Sequence, residues 1–334
     1  MNRLGRIPLV EMLRGVAATM VALHHFSTLD HGWLRDMGAH LKLGVEIFFV
    51  ISGFVIPYSL HSQSSTYRVR DFPHFMIKRM IRLEPPYLAS IALFIGLAFL
   101  AWQAPGFNGP PPSFSLGQVA THFLYLVPLT SYTWIQFVYW TLAYEFVFYI
   151  VVGLAFPLVT GPSPWRTRIA VCAIAALVGG GAISYFWGLF AIGLSVYSAM
   201  IRSERCWLEA LPGALVAIAM ARFGPSEAAA GFCTGALILL HDRLPLLNAR
   251  VEQLLLWLGT VSYSLYLLHL PIGSRVMNLG LRFVSGPVGE LVLSLLALGA
   301  SLVAATMLWY FVERPAIAAS RRYNARKTVA RDQT

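Results

Sequence analysis

Charged residues are scarce in this sequence. Of its 334 residues, 12% are Asp, Glu, Lys or Arg, whereas 57% are hydrophobic. A soluble domain carries about twice this fraction of charged residues. No stretch of the chain is both polar enough and long enough to form a separate soluble domain. The composition therefore excludes a soluble enzyme or a soluble binding module.

Cysteine is also rare, and basic residues outnumber acidic ones. Cys172, Cys206 and Cys233 have no metal-like spacing, so neither a disulfide framework nor a zinc site is predicted, and we expect no metal. The formal net charge of +10 is compatible with a nucleic-acid partner. The basic residues, however, lie in short loops between apolar runs, which is typical of membrane proteins. We therefore expect no nucleic acid partner.

Apolar runs of about 20 residues, the length with which a helix crosses a bilayer, recur along the whole chain. They predict an all-α integral membrane protein, a bundle of about ten transmembrane helices. Gly179–Gly181 is expected to interrupt the fifth span. The apolar stretch 118–130 is too short to span and is expected to be interfacial or re-entrant. The predicted spans cover residues 8–27, 41–60, 84–102, 138–159, 168–184, 186–201, 207–222, 228–241, 253–274 and 290–312.

The distribution of Lys and Arg predicts that both termini are cytoplasmic. With the N-terminus inside, Arg14 falls within a span and most of the others face the cytoplasm, as the positive-inside rule requires. The outer loops hold only Arg35, Lys42, Arg222, Arg275 and Arg282. The longest outer loop, 103–137, has no Lys or Arg, and its prolines favour an extended backbone. We divide the chain into a membrane domain, residues 1–315, and a basic cytoplasmic tail, residues 316–334.

Helix one has charged and titratable residues inside an apolar run, although Arg3 and Arg6 precede it as in a signal peptide. These residues argue against a cleaved signal peptide and indicate a functional site. Arg14 and His25 are eleven residues apart, about three turns, so they share a face of the helix. Because imidazole titrates near physiological pH, His25 is a candidate general base; a histidine that only packs is the alternative. Arg14 either binds a ligand or pairs with Glu11.

Two further groups of polar residues are candidates for a site. Arg79 and Arg82 lie one helical turn apart just before Pro85-Pro86. Two guanidiniums on one face form a phosphate clamp, and the alternative is that they anchor a helix end in anionic headgroups. Glu145 lies among aromatic residues and needs a partner such as a facing His or Arg, the alternative being a structural ion pair.

The remaining candidates have a packing role as the main alternative. Ser52, next to Gly53, can present its hydroxyl to a ligand, but it lacks the nucleophile elbow of a serine hydrolase. Small residues in this helix more often serve close helix packing. His269 precedes the helix-ending Pro271, and we weigh a direct role for it against packing. Glu313 is expected to pair with the arginines on the cytoplasmic side.

These segments together resemble the acyltransferase-3 family of bacterial inner-membrane acyltransferases. The resemblance covers residues 8–315, with the motifs in the family's order. The matching pieces are Leu13-Arg14-Gly15 with His25, Phe48-Phe49-Val50-Ile51-Ser52-Gly53-Phe54, Arg79-x-x-Arg82 before Pro85-Pro86-Tyr87, Trp140-Thr141-Leu142 ahead of Glu145, Ser262-Tyr263-Ser264-Leu265-Tyr266, and Glu313-Arg314-Pro315.

The resemblance implies an activity. Members transfer an acyl group, usually acetyl, from cytosolic acyl-coenzyme A to a hydroxyl of a carbohydrate or other acceptor, such as O-antigen, exopolysaccharide, another glycan or a small molecule. His25 resembles the essential catalytic histidine and Arg14 its partner on helix one, whereas Arg79 and Arg82 match the paired arginines that hold coenzyme A phosphates. Some members add an extracytoplasmic hydrolase-like domain, which we do not expect here.

The resemblance and the predicted orientation suggest one reaction path. We expect acetyl-coenzyme A to contact Arg79, Arg82, Ser52 and Arg14, and catalysis to use His25, Glu145 and Arg14. In this path His25 deprotonates the acceptor hydroxyl, which attacks the thioester; a two-step path through an acyl-histidine is the alternative. The competing functions are a proton-coupled transporter or exporter, which also uses intramembrane Arg, His and Glu, and a non-catalytic scaffold or sensor.

Overall fold

The computed structural model describes residues 7–27, 33–63, 67–105, 109–159, 165–202, 206–245 and 247–332. Every regular element in these ranges is helical, which confirms the all-α class. Two π-helical turns, His269–Ser274 and Trp309–Glu313, interrupt the later helices. The α-helices are α1 (Pro8–Ser27), α2 (Trp33–Ala39), α3 (Gly44–Gln63), α4 (Phe72–Trp102), α5 (Leu116–His122), α6 (Trp140–Val159), α7 (Trp165–Gly179), α8 (Phe186–Arg202), α9 (Cys206–Met220), α10 (Pro225–Leu239), α11 (Ala249–Leu268), α12 (Arg275–Gly280), α13 (Pro287–Leu308) and α14 (Arg314–Asp332).

Five helical stretches in the described residues are long and apolar enough to cross a membrane. They contain five of the ten predicted spans, and the other five predicted spans coincide with α1, α7, α8, α9 and α10. The protein is therefore an all-helical, multi-pass membrane protein, and the number of ten crossings and the cytoplasmic termini stay predictions. Arg3, Arg6 and Arg205, on which the orientation also depends, lie outside the described residues. The five stretches are His40–Ser62, Val69–Trp102, Phe137–Val159, Ala249–Gly280 and Pro287–Tyr323.

One helix boundary differs from the expectation. The helix that holds the third predicted span starts at Phe72, before the arginines, and continues through Pro85 and Pro86. A proline has no N–H, so these two leave the carbonyls of Ile81 and Arg82 without their usual donor four residues later, but they do not end the helix. In the loop 103–137, the proline-containing segment 110–115 has no regular structure, as expected, whereas α5 and short 3-10 turns follow it.

One other feature agrees with the sequence, and one was not predicted from it. Helix α7 ends at Gly179, and Gly181 has a φ of 74°, in the left-handed region that glycine tolerates. The basic tail is a helix, α14, as far as Asp332. The Ser320 hydroxyl donates a hydrogen bond to the Lys78 carbonyl over 2.9 Å. The chain after Pro315 therefore packs on α4, the helix that bears Arg79 and Arg82.

The described residues form two compact units, each made of separate stretches of chain. The first unit comprises 1–21, 40–72 and 149–260. In it α3 and α8 cross with their backbones in contact, since a Cβ on Gly53 would lie 2.2 Å from the Phe190 carbonyl oxygen. This supports the packing role predicted for the small residues around Ser52.

The second unit comprises 22–39, 73–148 and 261–334. Its core contains Ala22, Phe26, Met277, Leu293 and Ala297, all buried. The end of α1 packs closely on the turn His269–Ser274, because a Cβ on Gly273 would lie 2.2 Å from Cζ of Phe26. Only glycine permits this approach, and it brings His25 beside the turn.

Candidate active site

The structure brings His25 and His269 together in the second unit. Nδ1 of His25 lies 2.9 Å from Nε2 of His269, and the two rings stack with their centroids 5.0 Å apart and an angle of 26° between their planes. His25 is half-buried, whereas His269 is fully buried. Both histidines are candidates from the sequence, but no sequence pattern relates one to the other.

The π-helical turn explains why His269 points toward His25. Pro271 cannot donate to the carbonyl four residues earlier, and the helix changes from α to π geometry at His269. Such turns change the direction of side chains and are frequent at functional sites. Nδ1 of His269 lies 2.7 Å from the Tyr266 carbonyl and 3.3 Å from the Leu265 carbonyl. These contacts fix the ring with Nε2 directed at His25.

Neighbouring groups fix the His25 ring as well. Phe137 contacts it edge-on, with the ring centroids 5.2 Å apart and a 74° interplanar angle. The ring of His24 lies 5.1 Å from that of His25, and Nδ1 of His24 is 2.8 Å from the Gly38 carbonyl. The Ser27 hydroxyl donates to the His24 carbonyl over 2.7 Å. The last turn of α1 is therefore held on both sides of His25.

The start of α6 is joined to the end of α11 next to this pair. The Tyr266 hydroxyl is 2.5 Å from the Thr141 hydroxyl and donates to the Val138 carbonyl over 2.9 Å. Glu145 is half-buried and lies one turn beyond Thr141 on α6. The structure thus places Glu145 in the same unit as His25, and its role in orienting the imidazole stays a prediction.

The paired arginines belong to the second unit too. Arg79 and Arg82 lie one turn apart within α4 and are half-buried. The Arg79 guanidinium lies over the Phe75 ring, 5.5 Å from its centroid, which keeps the charged group on one side of the helix. Guanidiniums spaced in this way can hold phosphate oxygens.

The other predicted ligand-binding residues lie in the first unit. Nη1 of Arg14 is 3.4 Å from Oε2 of Glu11, so the local ion pair considered from the sequence is present. Ser52 is half-buried in α3, one residue before Gly53. Glu313, in the second unit, accepts a hydrogen bond of 2.6 Å from the Ser264 hydroxyl. Its predicted pairing with the arginines stays a prediction.

The second unit also contains buried polar residues that were not predicted from the sequence to interact. Gln136 donates to the Tyr139 hydroxyl over 2.7 Å, and that hydroxyl is 2.8 Å from the Ser90 hydroxyl. The Leu124 N–H donates to Oε1 of Glu84 over 3.3 Å. Leu124 has a φ of 60°, a strained conformation for a residue with a side chain. The sequence signal for these residues was Glu84, a charged residue directly before Pro85-Pro86.

His122 connects two parts of the loop 103–137, at Gln118 and Ile135. Its Nδ1 is 2.8 Å from the Gln118 carbonyl, and its Nε2 accepts a hydrogen bond of 3.1 Å from the Ile135 N–H. The proton must therefore lie on Nδ1. Burial lowers the pKa of His122 below its ordinary value, although the hydrogen bond to Gln118 opposes this shift. His122 is neutral in the fold and joins α5 to the segment that precedes α6.

Comparison with known proteins agrees with the resemblance that the motifs suggested. A family model described as an acyltransferase domain matches residues 7–310, most of the chain. Neither the curated proteins nor the solved structures yield a match. The matched range includes His25, His269, Glu145 and both arginines of α4. The chain therefore belongs to the acyltransferase-3 family, as a multi-pass membrane acyltransferase.

Proposed function

We propose that this protein is an acyl-coenzyme A-dependent O-acyltransferase of the bacterial cytoplasmic membrane. It moves an acyl group, expected to be acetyl, to a hydroxyl of a carbohydrate such as O-antigen, exopolysaccharide or another glycan. One observation carries the proposal: Nδ1 of His25 is 2.9 Å from Nε2 of His269, so a titratable imidazole is held in a fixed orientation within the range 7–310 that matches an acyltransferase domain.

The reaction needs one base and one leaving-group acid, and His25 can serve as both. Nε2 of His25 takes the proton of the acceptor hydroxyl, and the hydroxyl oxygen attacks the thioester carbonyl. The carbon–sulfur bond then breaks, and the imidazolium returns the proton to the sulfur. The products are an ester and coenzyme A with a free thiol. We favour this direct transfer over an acyl-histidine intermediate, with Glu145 orienting the imidazole.

The donor is recognised through its phosphates. Coenzyme A has a diphosphate and a 3′-phosphate, and two guanidiniums one turn apart can bind such groups with charge-assisted hydrogen bonds. Arg79 and Arg82 on α4 provide this arrangement. Arg14 and Ser52 stay predicted donor contacts, and Arg14 would have to exchange its contact with Glu11 for one with the donor.

A thiol-release assay tests the proposed function. The purified full chain in lipid nanodiscs receives labelled acetyl-coenzyme A and a glycan extract, and free thiol and labelled glycan are measured. We expect both products from the wild type and at least a 100-fold loss in His25→Ala, with the same elution profile as the wild type. A proton-coupled transporter would release no thiol. Full transfer activity in the His25 variant would refute the assigned base.

The acceptor is identified in cells. Mass spectrometry of surface glycans, with and without the gene, should reveal an acyl group present only in cells that have the active protein. Cells expressing His25→Ala are the matched control, because the membrane protein is present but lacks the base. Identical glycans in all three strains would exclude a surface carbohydrate as the acceptor.

A further inference from the structure

We infer that His269 is a positioning residue that fixes the tautomer of His25, so that Nε2 of His25 is the base in the resting enzyme. This inference rests on the proposed function and adds to it a second histidine, which acts through the first. It depends on the hydrogen bonds of the pair and on the helix geometry that makes them.

The proton on His269 can be assigned from its partners. Nδ1 of His269 faces the carbonyl oxygens of Tyr266 and Leu265, at 2.7 Å and 3.3 Å. Carbonyl oxygens only accept hydrogen bonds, so Nδ1 must carry a proton. A neutral imidazole carries one ring proton, which leaves Nε2 of His269 as an acceptor. The backbone therefore selects the tautomer of His269.

The tautomer of His25 follows from that of His269. Two N–H groups cannot point at each other across 2.9 Å, so one proton lies between Nδ1 of His25 and Nε2 of His269. In the uncharged pair this proton is on His25, because Nε2 of His269 is the acceptor. Nε2 of His25 then carries the lone pair that the reaction requires.

The same contact favours the charged intermediate. When His25 takes a proton from the acceptor, its Nδ1–H bond to His269 becomes charge-assisted and stronger. Without an acceptor at this point, the imidazole can adopt the other tautomer, which places a proton on Nε2 and abolishes its basic function there. The ring also loses one of the contacts that fix its orientation.

Several features of the fold restrict the orientation of His269. It lies where α11 gives way to the π-helical turn, just before Pro271. The carbonyl that binds its Nδ1 belongs to Tyr266, whose hydroxyl is in turn held by Val138 and Thr141. Since Tyr266, Pro271 and Gly273 all restrict the turn, the direction of Nε2 is determined before substrate binds.

Two amide substitutions distinguish the hydrogen bond made by Nε2 of His269 from the one made by its Nδ1. His269→Gln can present its Oε1 near the position of Nε2, where it accepts from His25. His269→Asn is shorter: it can keep the contact with the Tyr266 carbonyl but cannot reach His25. Both place a polar amide in the same buried position, so they make similar demands on folding. His241→Gln, in the first unit, is the control for replacing a histidine by glutamine.

We expect His269→Asn to lower kcat about 100-fold and His269→Gln to stay within about tenfold of the wild type. Loss of the orienting aspartate in a serine protease costs about 10⁴-fold, and a neutral histidine is a weaker orienting group. KM for acetyl-coenzyme A should change less than about threefold in both variants, because donor binding does not use the base. His241→Gln should match the wild type.

The outcomes separate this inference from the proposed function. A wild type that releases no thiol, or an active His25→Ala, overturns the proposed function. If the wild type is active and His25→Ala is not, equal kcat values in folded His269→Asn and His269→Gln overturn only the inference. If either variant fails to fold, nitrogen-15 NMR of histidine-labelled wild type decides: a protonated Nδ1 and bare Nε2 on His25 support the inference, and the reverse overturns it.

Discussion

Replacing Gly273 by alanine tests whether the packing of α1 on the π-helical turn sets the geometry of the histidine pair. An ideal Cβ at this position lies 2.2 Å from Cζ of Phe26 and 2.8 Å from Oγ of Ser301. Carbon atoms in contact are normally about 3.5–4.0 Å apart. The Phe26 ring or the turn must therefore move by roughly 1 Å or more.

This movement reaches the candidate base directly. Phe26 is fully buried and follows His25 in the chain, so its ring cannot turn out into open space. A shift of about 1 Å would lengthen the contact between His25 and His269 beyond hydrogen-bond range. Overpacking costs about 1–3 kcal/mol of stability, and a misplacement of about 1 Å can lower a rate about 100-fold. We expect kcat to fall about 10–100-fold.

Gly299→Ala is the matched control for this substitution. Gly299 lies in α13, and a Cβ there would meet no heavy atom within 4 Å. The same change of residue should leave kcat unaltered and raise stability by about 0.5–1 kcal/mol through helix propensity. Thiol release and the unfolding midpoint are measured for both variants in the same nanodiscs. A Gly273 variant with the kcat and midpoint of the Gly299 variant would refute the proposed coupling.

Three further perturbations address other parts of the molecule. Replacing Arg79 and Arg82 together by alanine should raise KM for acetyl-coenzyme A at least about 100-fold with a smaller change in kcat, since hydrogen bonds to charged groups contribute about 1.5–3 kcal/mol each and 1.4 kcal/mol is a factor of ten. An unchanged KM would remove both arginines from the donor site. Gly53→Ala should lower the unfolding midpoint strongly, because the new Cβ meets backbone of Phe190, and an unaltered midpoint would contradict the close crossing. The pKa of His122 is lowered in the folded protein, so its contribution to stability is present above the unfolded pKa of about 6.5 and is lost as pH falls through the lower folded pKa. The unfolding midpoint should therefore drop less between pH 7.5 and 5.0 in His122→Gln than in the wild type. Equal drops in the two proteins would count against this role.

Local patterns were sufficient for much of the fold. Each of the ten predicted apolar runs coincides with a helix of the structure, because the length and composition of a run determine whether a helix can be buried in lipid. The end of α7 at Gly179 followed from the three glycines alone. The start of α4 was predicted too late because of Pro85-Pro86: proline is common in the first turn of a helix, but here both prolines lie in the helix interior.

The histidine pair could not be predicted in the same way. His25 and His269 are 244 positions apart in the sequence, and no local pattern relates the direction of one side chain to that of the other. Their contact depends on a change from α to π geometry beside Pro271 and on the packing of Phe26 against Gly273. These are tertiary features, so composition and spacing could identify each histidine as a candidate but could not combine them.

The discontinuous build of the second unit has a consequence for synthesis of the protein. His25 emerges from the ribosome 244 residues before its imidazole partner His269. A product that stops between them has the arginines of α4 and His25 without the group that orients it. Such incomplete chains should therefore consume the cell's acyl thioesters far more slowly than chains that have been made past residue 269.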